Sequence, residues 1–294
     1  MKKLALFLFL SLLAFTGSFM AAQMLEMKKE ASHEVLKSLS FLPASYVLKN
    51  RPFAIVVVGY NNGATVEKTL TSVFSQNYEN YRLIYIDDAS DNGSYDLARD
   101  LVYESGHLAQ TTLIRNEQRF GNLASIFKAV QICQDDEIVV VLQGEDWLAH
   151  EWVLQRLNAY YADPDLWLGL CQTIDFPTYQ VGDFQNLKKV DFRLQFPSFP
   201  YLKTFYAALF KKIRESDFIS SGTFLPACAE LAYMAPMLEM GQGHVEFIPE
   251  VLGVNNRRIY SKEDPELCLK CEKFIRALDP YQPLTALMVN PCGD

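Results

Sequence analysis

An α/β fold, a mostly parallel sheet flanked by helices, is what this sequence predicts, and three observations carry the expectation. Short apolar runs rich in β-branched residues recur at Phe53–Val58 (FAIVVV), Tyr81–Ile86 and Ile138–Leu142. They are too short for helices and too continuously apolar for half-wet strands, which suits strands buried on both faces of a parallel sheet. Helical patterns lie between them, the first with Val66, Leu70, Val73 and Phe74 at i, i+4, i+7 and i+8. Each run ends in polar, turn-forming residues, which places those residues at the carboxyl edge of the sheet, where open α/β sheets bind ligands.

In chain order, Lys2 and Lys3 precede nineteen uncharged residues, Leu4 to Ala22. This segment reads as a signal-peptide core or a short membrane span, so the protein is expected to be exported or membrane-anchored and to meet the membrane there. Lys28 and Lys29 match Lys2 and Lys3 in number, so orientation stays open. A connector over 23–50 follows. After the first strand, Gly59 to Gly63 form a turn in which Asn62 is the expected N-cap of the first helix. The second strand ends in Asp87, Asp88, Ala89, Ser90 and Asp91, a helix starts at Ser94, and Thr111–Ile114 is a short third strand. The polar turn NEQRFGN (Asn116–Asn122) leads into a helix burying Leu123, Ile126, Phe127 and Val130. The fourth strand ends in Gln143-Gly144-Glu145-Asp146, ahead of a helix over Glu151–Tyr161.

Leu166–Thr173 is strand-like, and periodicity then lapses over Ile174–Tyr201, a loop long enough to be functional or mobile. Leu202–Ile213 has apolar residues at helical spacing, and the tail over 261–294 is polar and carries no readable motif. A net charge of −8 argues against a nucleic-acid partner, because no basic excess is present to neutralise phosphates. The clusters Lys211, Lys212, Arg214 and Arg257, Arg258 suit either a diphosphate or a solvated face. Cys133 and Cys171 sit in apolar surroundings as core residues, whereas Cys268 and Cys271 form a C-x-x-C that suits a redox pair or half a zinc site.

The order of apolar strand, Tyr-Asn, helix and SVFSQNYENYRLIYIDDASDNGS resembles the amino-terminal half of family 2 glycosyltransferases, which have the GT-A nucleotide-sugar fold. The resemblance implies a catalytic domain over 51–260, with a nucleotide half (51–173) and an acceptor half (174–260). It places the nucleotide on Tyr60, Asn61, Asp87 and Asp88. An aromatic face for stacking and carboxylates that accept from ring N–H or ribose hydroxyls are the groups a nucleoside needs. The turn of Asp88 to Gly93 equally reads as a helix cap. Arg119 and Asn122 are expected at the diphosphate, or Asn122 as a cap.

At the end of the fourth strand such transferases carry an aspartate-rich motif that holds Mg²⁺ or Mn²⁺ against the donor's phosphates. Here Gln143 stands for its first aspartate and Glu145 for its middle one, so Asp146, with Glu145 reaching in, is the expected metal ligand. GTFLPACAELAYMAPMLEMGQGHVEFIPEVLGVNN resembles the carboxyl half of a bacterial branch of the family, in which an acid before a Leu-Ala-x-Met helix is the general base. That residue here is Glu230, which also reads simply as a first-turn carboxylate favoured by the helix dipole. His244 is expected either at the donor diphosphate or packed after Gly241 and Gly243. The aromatics Phe176, Tyr179, Phe192, Phe196 and Phe199 are candidates to stack on acceptor sugars or to form a small satellite core.

The implied function is inverting transfer of a sugar from a nucleotide-diphosphate donor to a hydroxyl of a glycan or lipid-linked acceptor. Gln143, Glu145 and Glu230 leave a second reading, a protein that keeps the fold without the chemistry and serves as a carbohydrate-binding or scaffold protein. Nucleotidyl transfer is a third class, and Gly59–Gly63 lacks the basic residue it requires.

Overall fold

The computed structural model describes residues 49–181, 202–256 and 264–289. The apolar segment 1–22 and nearly all of the connector lie outside the described residues, as do Phe192, Phe196, Phe199, Arg257 and Arg258.

The elements run β1 (Phe53–Gly59), α1 (Gly63–Phe74), β2 (Tyr81–Asp87), α2 (Ser94–Glu104), β3 (Thr111–Arg115), α3 (Asn122–Gln131) and β4 (Ile138–Gln143). Then follow β5 (Trp147–Leu148), α4 (Val153–Tyr160), β6 (Leu168–Phe176), β7 (Gln180–Val181), β8 (Leu202–Tyr206) and the single turn α5 (Ala207–Phe210). A small hairpin, β9 (Ile219–Ser220) with β10 (Thr223–Phe224), precedes α6 (Ala229–Met240), β11 (Val245–Asn256) and α7 (Pro265–Ala277).

The main sheet has the order β3-β2-β1-β4-β8-β6-β11-β5, with β7 hairpinned onto β6. Its first half, β3-β2-β1-β4, is parallel throughout, as the buried apolar runs require. The second half is mixed. β8 runs antiparallel between β4 and β6, β6 and β11 are parallel to each other, and β5 closes the edge antiparallel to β11. The α/β sheet flanked by helices is as expected, parallel in its first half, with antiparallel pairings added in the second. Both faces of the parallel half are covered. Val56, Val58, Ile84, Ile86, Val139 and Val141 pack under α3 and α6, while Ile55, Val57, Leu83, Tyr85, Val140 and Leu142 pack with α1 and α2 on the opposite face.

Two expectations are corrected. Leu202–Ile213 is not a helix: Leu202–Tyr206 is a strand and only Ala207–Phe210 turns helically. Leu202, Thr204 and Phe205 are all buried, so apolar positions fall at helical spacing by coincidence, and Thr, Phe and Tyr suit the sheet interior. The tail is also more than a polar extension. Asp264 caps α7 by accepting from the Glu266 backbone N–H at 2.9 Å, Pro265 stands at the start, and Cys271 and Ile275 bury into the α3–α6 layer. Cys268 and Cys271 lie on this helix and are not in a disulfide, and Cys133 and Cys171 are buried, with burial pushing the thiols of the latter two up to about 12. Among the described residues no helix is long and apolar enough to cross a membrane.

Candidate functional site

The parallel register sets Gly59 opposite Asp87 and Val58 opposite Gln143, so the loops after β1, β2 and β4 converge at one carboxyl edge. Asn61 ties two of them together. Its backbone sits at φ 52°, a left-handed conformation that Asn tolerates. Its N–H donates to Ser90 Oγ at 2.9 Å and its Oδ1 accepts from the Asp91 N–H at 3.1 Å. Asn62 occupies the N-cap position of α1 without capping by its side chain; Nδ2 instead donates to the Gly144 carbonyl at 2.8 Å, which links the β1 and β4 loops.

Asp87 and Asp88 do different work. Asp87 is fully buried; Oδ2 accepts from the Ser90 N–H at 2.9 Å, with Arg115 Nε 3.8 Å away, while Oδ1 is buried with no partner. Beside it, a cavity of about 350 Å³ is lined by Ala89, Ser90, Arg115, Asn116 and Glu117. A native carboxylate oxygen without a donor is uncommon, and this one lies at the carboxyl edge where open α/β sheets take their ligands. Asp88 has no such vacancy. Oδ1 accepts from Asn116 Nδ2 and from the Phe120 N–H, each at 2.9 Å, and Oδ2 accepts from the Gly121 N–H at 2.8 Å. Asp88 therefore shapes the NEQRFGN turn, in which Gly121 takes φ 92° and ψ 163°, a region only glycine enters readily.

That turn carries Arg119 back across the edge, where its guanidinium lies 3.9 Å over the ring of Tyr60. The aromatic face expected to stack a base is thus covered by a cation, and a base stacking there must displace it or join it. Asn122 is the first residue of α3 rather than its cap, and Gly121 holds the cap position. Its Nδ2 donates to Gln143 Oε1 at 3.3 Å, and its Oδ1 is buried without a partner.

Past β4, the Gly144 carbonyl accepts from Asn62 Nδ2, Thr65 Oγ1 and Thr69 Oγ1. A Cβ at Gly144 would lie 2.6 Å from Asn62 Nδ2 and 2.8 Å from Gly59 Cα, so only glycine permits this approach. Asp146 Oδ1 accepts from the Asn256 N–H at 2.8 Å and so anchors the end of β11. Burial pushes the Glu145 carboxyl up from the ordinary range, partly offset by a bond from its own backbone N–H. The fit to a divalent cation is poor. A hard ion wants several charged oxygens, whereas Gln143 is neutral and bonded to Asn122, and Asp146 holds a strand end with one oxygen. Among the described residues no three His, Cys, Asp or Glu side chains converge as a metal group.

Glu230 lies in the first turn of α6, behind Cys228, whose φ is 57°. Its Oε1 is 2.6 Å from Lys203 Nζ, and Lys203 pairs in the sheet with Val141 of β4. The structure thus brings Glu230 to the face and edge where β4 ends. It does not bring His244 there. His244 precedes the first residue of β11, at the amino edge, where its ring stacks on Trp167 at 3.6 Å and its Nδ1 lies 2.9 Å from the Asp165 carbonyl. A second cavity, of about 460 Å³, is lined by Trp147, Phe176, Tyr179 and Val254, with Lys68 Nζ 3.6 Å over the Trp147 ring. Arg115 and Lys203 were not singled out by sequence reasoning. Arg115 closes the third strand with no motif around it, and Lys203 is hidden in an apolar stretch.

A family model described as glycosyl transferase family 2 matches residues 54–224, more than half of the chain. Several solved structures share the fold. Residues 1–349 of S. aureus TarS, crystallised with UDP, align with a TM-score of 0.58 at 13% identity over 76% of this chain and 64% of that one. The mannosyltransferase PcManGT from Pyrobaculum calidifontis, in complex with GDP-Man and Mn²⁺, gives 0.55 at 19% over 77% and 63%. GalNAc-T7 with UDP, GalNAc and Mn²⁺ gives 0.53 at 17% over 78% and 48%. An uncharacterized protein of Mycobacterium tuberculosis, MT1568, is 26% identical over 113 residues, 38% of this chain. The chain spans about a third of that relative's length and less than two thirds of each of these structures. With a GT-A-like sheet, three loops gathered at its carboxyl edge and a family match over most of the described domain, the chain belongs to glycosyl transferase family 2.

Proposed function

We propose that the protein is an inverting glycosyltransferase that takes a sugar from a nucleoside diphosphate donor and places it on a hydroxyl of a glycan or lipid-linked acceptor. The observation that carries this reading is the buried, partnerless Oδ1 of Asp87 beside the cavity at the carboxyl edge. A carboxylate oxygen there accepts from a ring N–H. Uracil, thymine and guanine offer one at the edge where cytosine and adenine present an acceptor nitrogen, so the donor is a UDP-, dTDP- or GDP-sugar.

Arg119, over Tyr60, lies on the side of the edge that leads from the nucleoside toward Gln143 and Glu230 and suits a phosphate oxygen. Glu230 takes the acceptor proton as the acceptor oxygen attacks the anomeric carbon, and the diphosphate leaves from the opposite face with the bonding pair. One displacement inverts the configuration. The aromatic cavity of Trp147, Phe176 and Tyr179 suits the apolar face of an acceptor sugar ring. No step in this reading passes through a divalent cation.

The test is release of UDP or GDP from UDP-GlcNAc, UDP-glucose and GDP-mannose by the full chain, with water or an added glycan as acceptor. One donor is expected to be consumed, and Glu230→Gln to cut the rate at least about a hundredfold. Nucleotide binding without turnover of any donor would favour the non-catalytic carbohydrate-binding reading, which Gln143, Glu145 and Glu230 also motivate.

A further inference from the structure

We propose that Lys203 is a catalytic residue, and that its ammonium rather than a divalent cation meets the charge of the departing diphosphate. The inference rests on the nucleoside diphosphate reading above. Three observations carry it.

The first is position. Lys203 is paired with Val141, two residues before Gln143 at the end of β4. Side chains two apart share a face of a strand, so Lys203 rises beside Val141 on the α3–α6 side, the face that also holds Gln143, its partner Asn122, and Glu230. A lysine side chain spans roughly 6 Å, about the rise of two strand residues, so it covers the distance from its own register to the carboxyl edge.

The second is charge. The Lys203 side chain is only 14% exposed, and an ammonium so enclosed needs a partner. Without donor that partner is Glu230, at 2.6 Å. An ammonium can exchange one carboxylate partner for a phosphate oxygen, so a bound donor draws Nζ from Glu230 and frees that carboxylate for the acceptor proton. The amino end of α6, which carries Glu230, adds its own positive potential at the same point.

The third is the state of the residues where a metal would be bound. Gln143 contributes no charge and is bonded to Asn122, Glu145 receives its own N–H, and Asp146 holds the Asn256 N–H. Among the described residues, Lys203 is then a cation of the chain's own placed beside the end of β4.

The step balances without a co-reactant. The acceptor oxygen bonds to the anomeric carbon, the bond from that carbon to the phosphate oxygen breaks, and the electron pair leaves on the diphosphate beside Lys203. The acceptor proton passes to Glu230, and Lys203 keeps its own. Because the ammonium that pairs with Glu230 is the one the diphosphate draws away, donor binding and the freedom of the base are coupled.

The test uses the full chain and calorimetric titration of UDP, GDP and UMP, in EDTA and again with Mn²⁺. Wild type is expected to bind one diphosphate in EDTA within about threefold of its affinity with Mn²⁺. Lys203→Met should weaken that diphosphate by at least about tenfold and, where the nucleoside is uridine, leave UMP within about threefold, since only the second phosphate meets the ammonium. Lys203→Arg, which keeps charge and fold, should retain most of the affinity. Loss of wild-type binding in EDTA, or Lys203→Met binding the diphosphate as wild type does, would overturn the proposal. Absence of all nucleotide binding by wild type would instead defeat the nucleotide reading, and the inference with it.

Discussion

The Asp88 carboxylate accepts from the Gly121 backbone N–H at 2.8 Å, and through that contact the end of β2 holds the turn in front of α3. Asp88 also takes the Phe120 N–H and the Asn116 amide, so one side chain fixes the path of the segment that carries Arg119. Asp88→Ala strands a buried amide and two partly buried backbone N–H groups. A loss of about 3 kcal/mol is expected, from ~1.5–3 kcal/mol for a hydrogen bond to a charged group, together with weaker nucleotide binding as Arg119 is released. Urea unfolding and nucleotide titration of the same variant check both halves.

Asp87 should behave in the opposite sense. Asp87→Asn can still accept from the Ser90 N–H, and it replaces a buried carboxylate, one oxygen of which has no partner, by a neutral amide. Folding stability is expected within about 1 kcal/mol of wild type or above it, since a buried charge is costly, while nucleotide binding drops at least about tenfold. A variant that loses stability and binding together would speak for a purely structural Asp87.

Gly144→Ala puts a methyl 2.8 Å from Gly59 Cα, a backbone atom that cannot swing aside. The β1 and β4 loops must separate, at a cost of about 1–3 kcal/mol by the usual penalty for overpacking. Thermal unfolding should show the loss, and nucleotide binding should weaken with it, because Asn62 and the Gly144 carbonyl join the two loops.

Glu145 gives a pH dependence with a definite sign. Burial raises its carboxyl above the ordinary value, and its own N–H only partly offsets this. A raised native value means that the contribution to stability is present below the unfolded value, near 4.3, and is lost as pH rises through the native one. Near neutrality the ionised Glu145 therefore burdens the fold. Glu145→Gln is expected to unfold at higher denaturant than wild type at pH 7 to 8, with the difference closing below about pH 4. A difference that widens on acidification would contradict this.

Much of the parallel half was legible in the sequence, because strands buried on both faces must be continuously apolar and each ended in turn residues. The same property hid β8. In LKTFYAALFKKI burial on both faces removes the two-residue period, and Lys203 lost its context when the stretch read as a helix. Adjacent acids were likewise beyond reach of spacing alone. Successive residues at a strand end point to opposite sides, so Asp87 stays inward and open while Asp88 turns to the NEQRFGN loop. Asp146 reads as a ligand until its contact with the Asn256 N–H, 110 residues later, is known. His244 could be put at the wrong edge because the direction of β11 in the sheet is a matter of topology. The helix at Pro265 did leave a local mark, the Asp-Pro start that caps it.

On the proposed function, the carboxyl edge of β1, β2 and β4 binds a nucleoside diphosphate whose ring N–H donates to Asp87. The most direct measurement is calorimetric titration of the full chain with UDP, GDP, CDP and ADP under identical salt. Micromolar binding of UDP or GDP is expected, dTDP behaving as UDP does because thymine has the same ring N–H, with CDP and ADP weaker by at least about tenfold. Equal binding of all four, or binding of none, would contradict it.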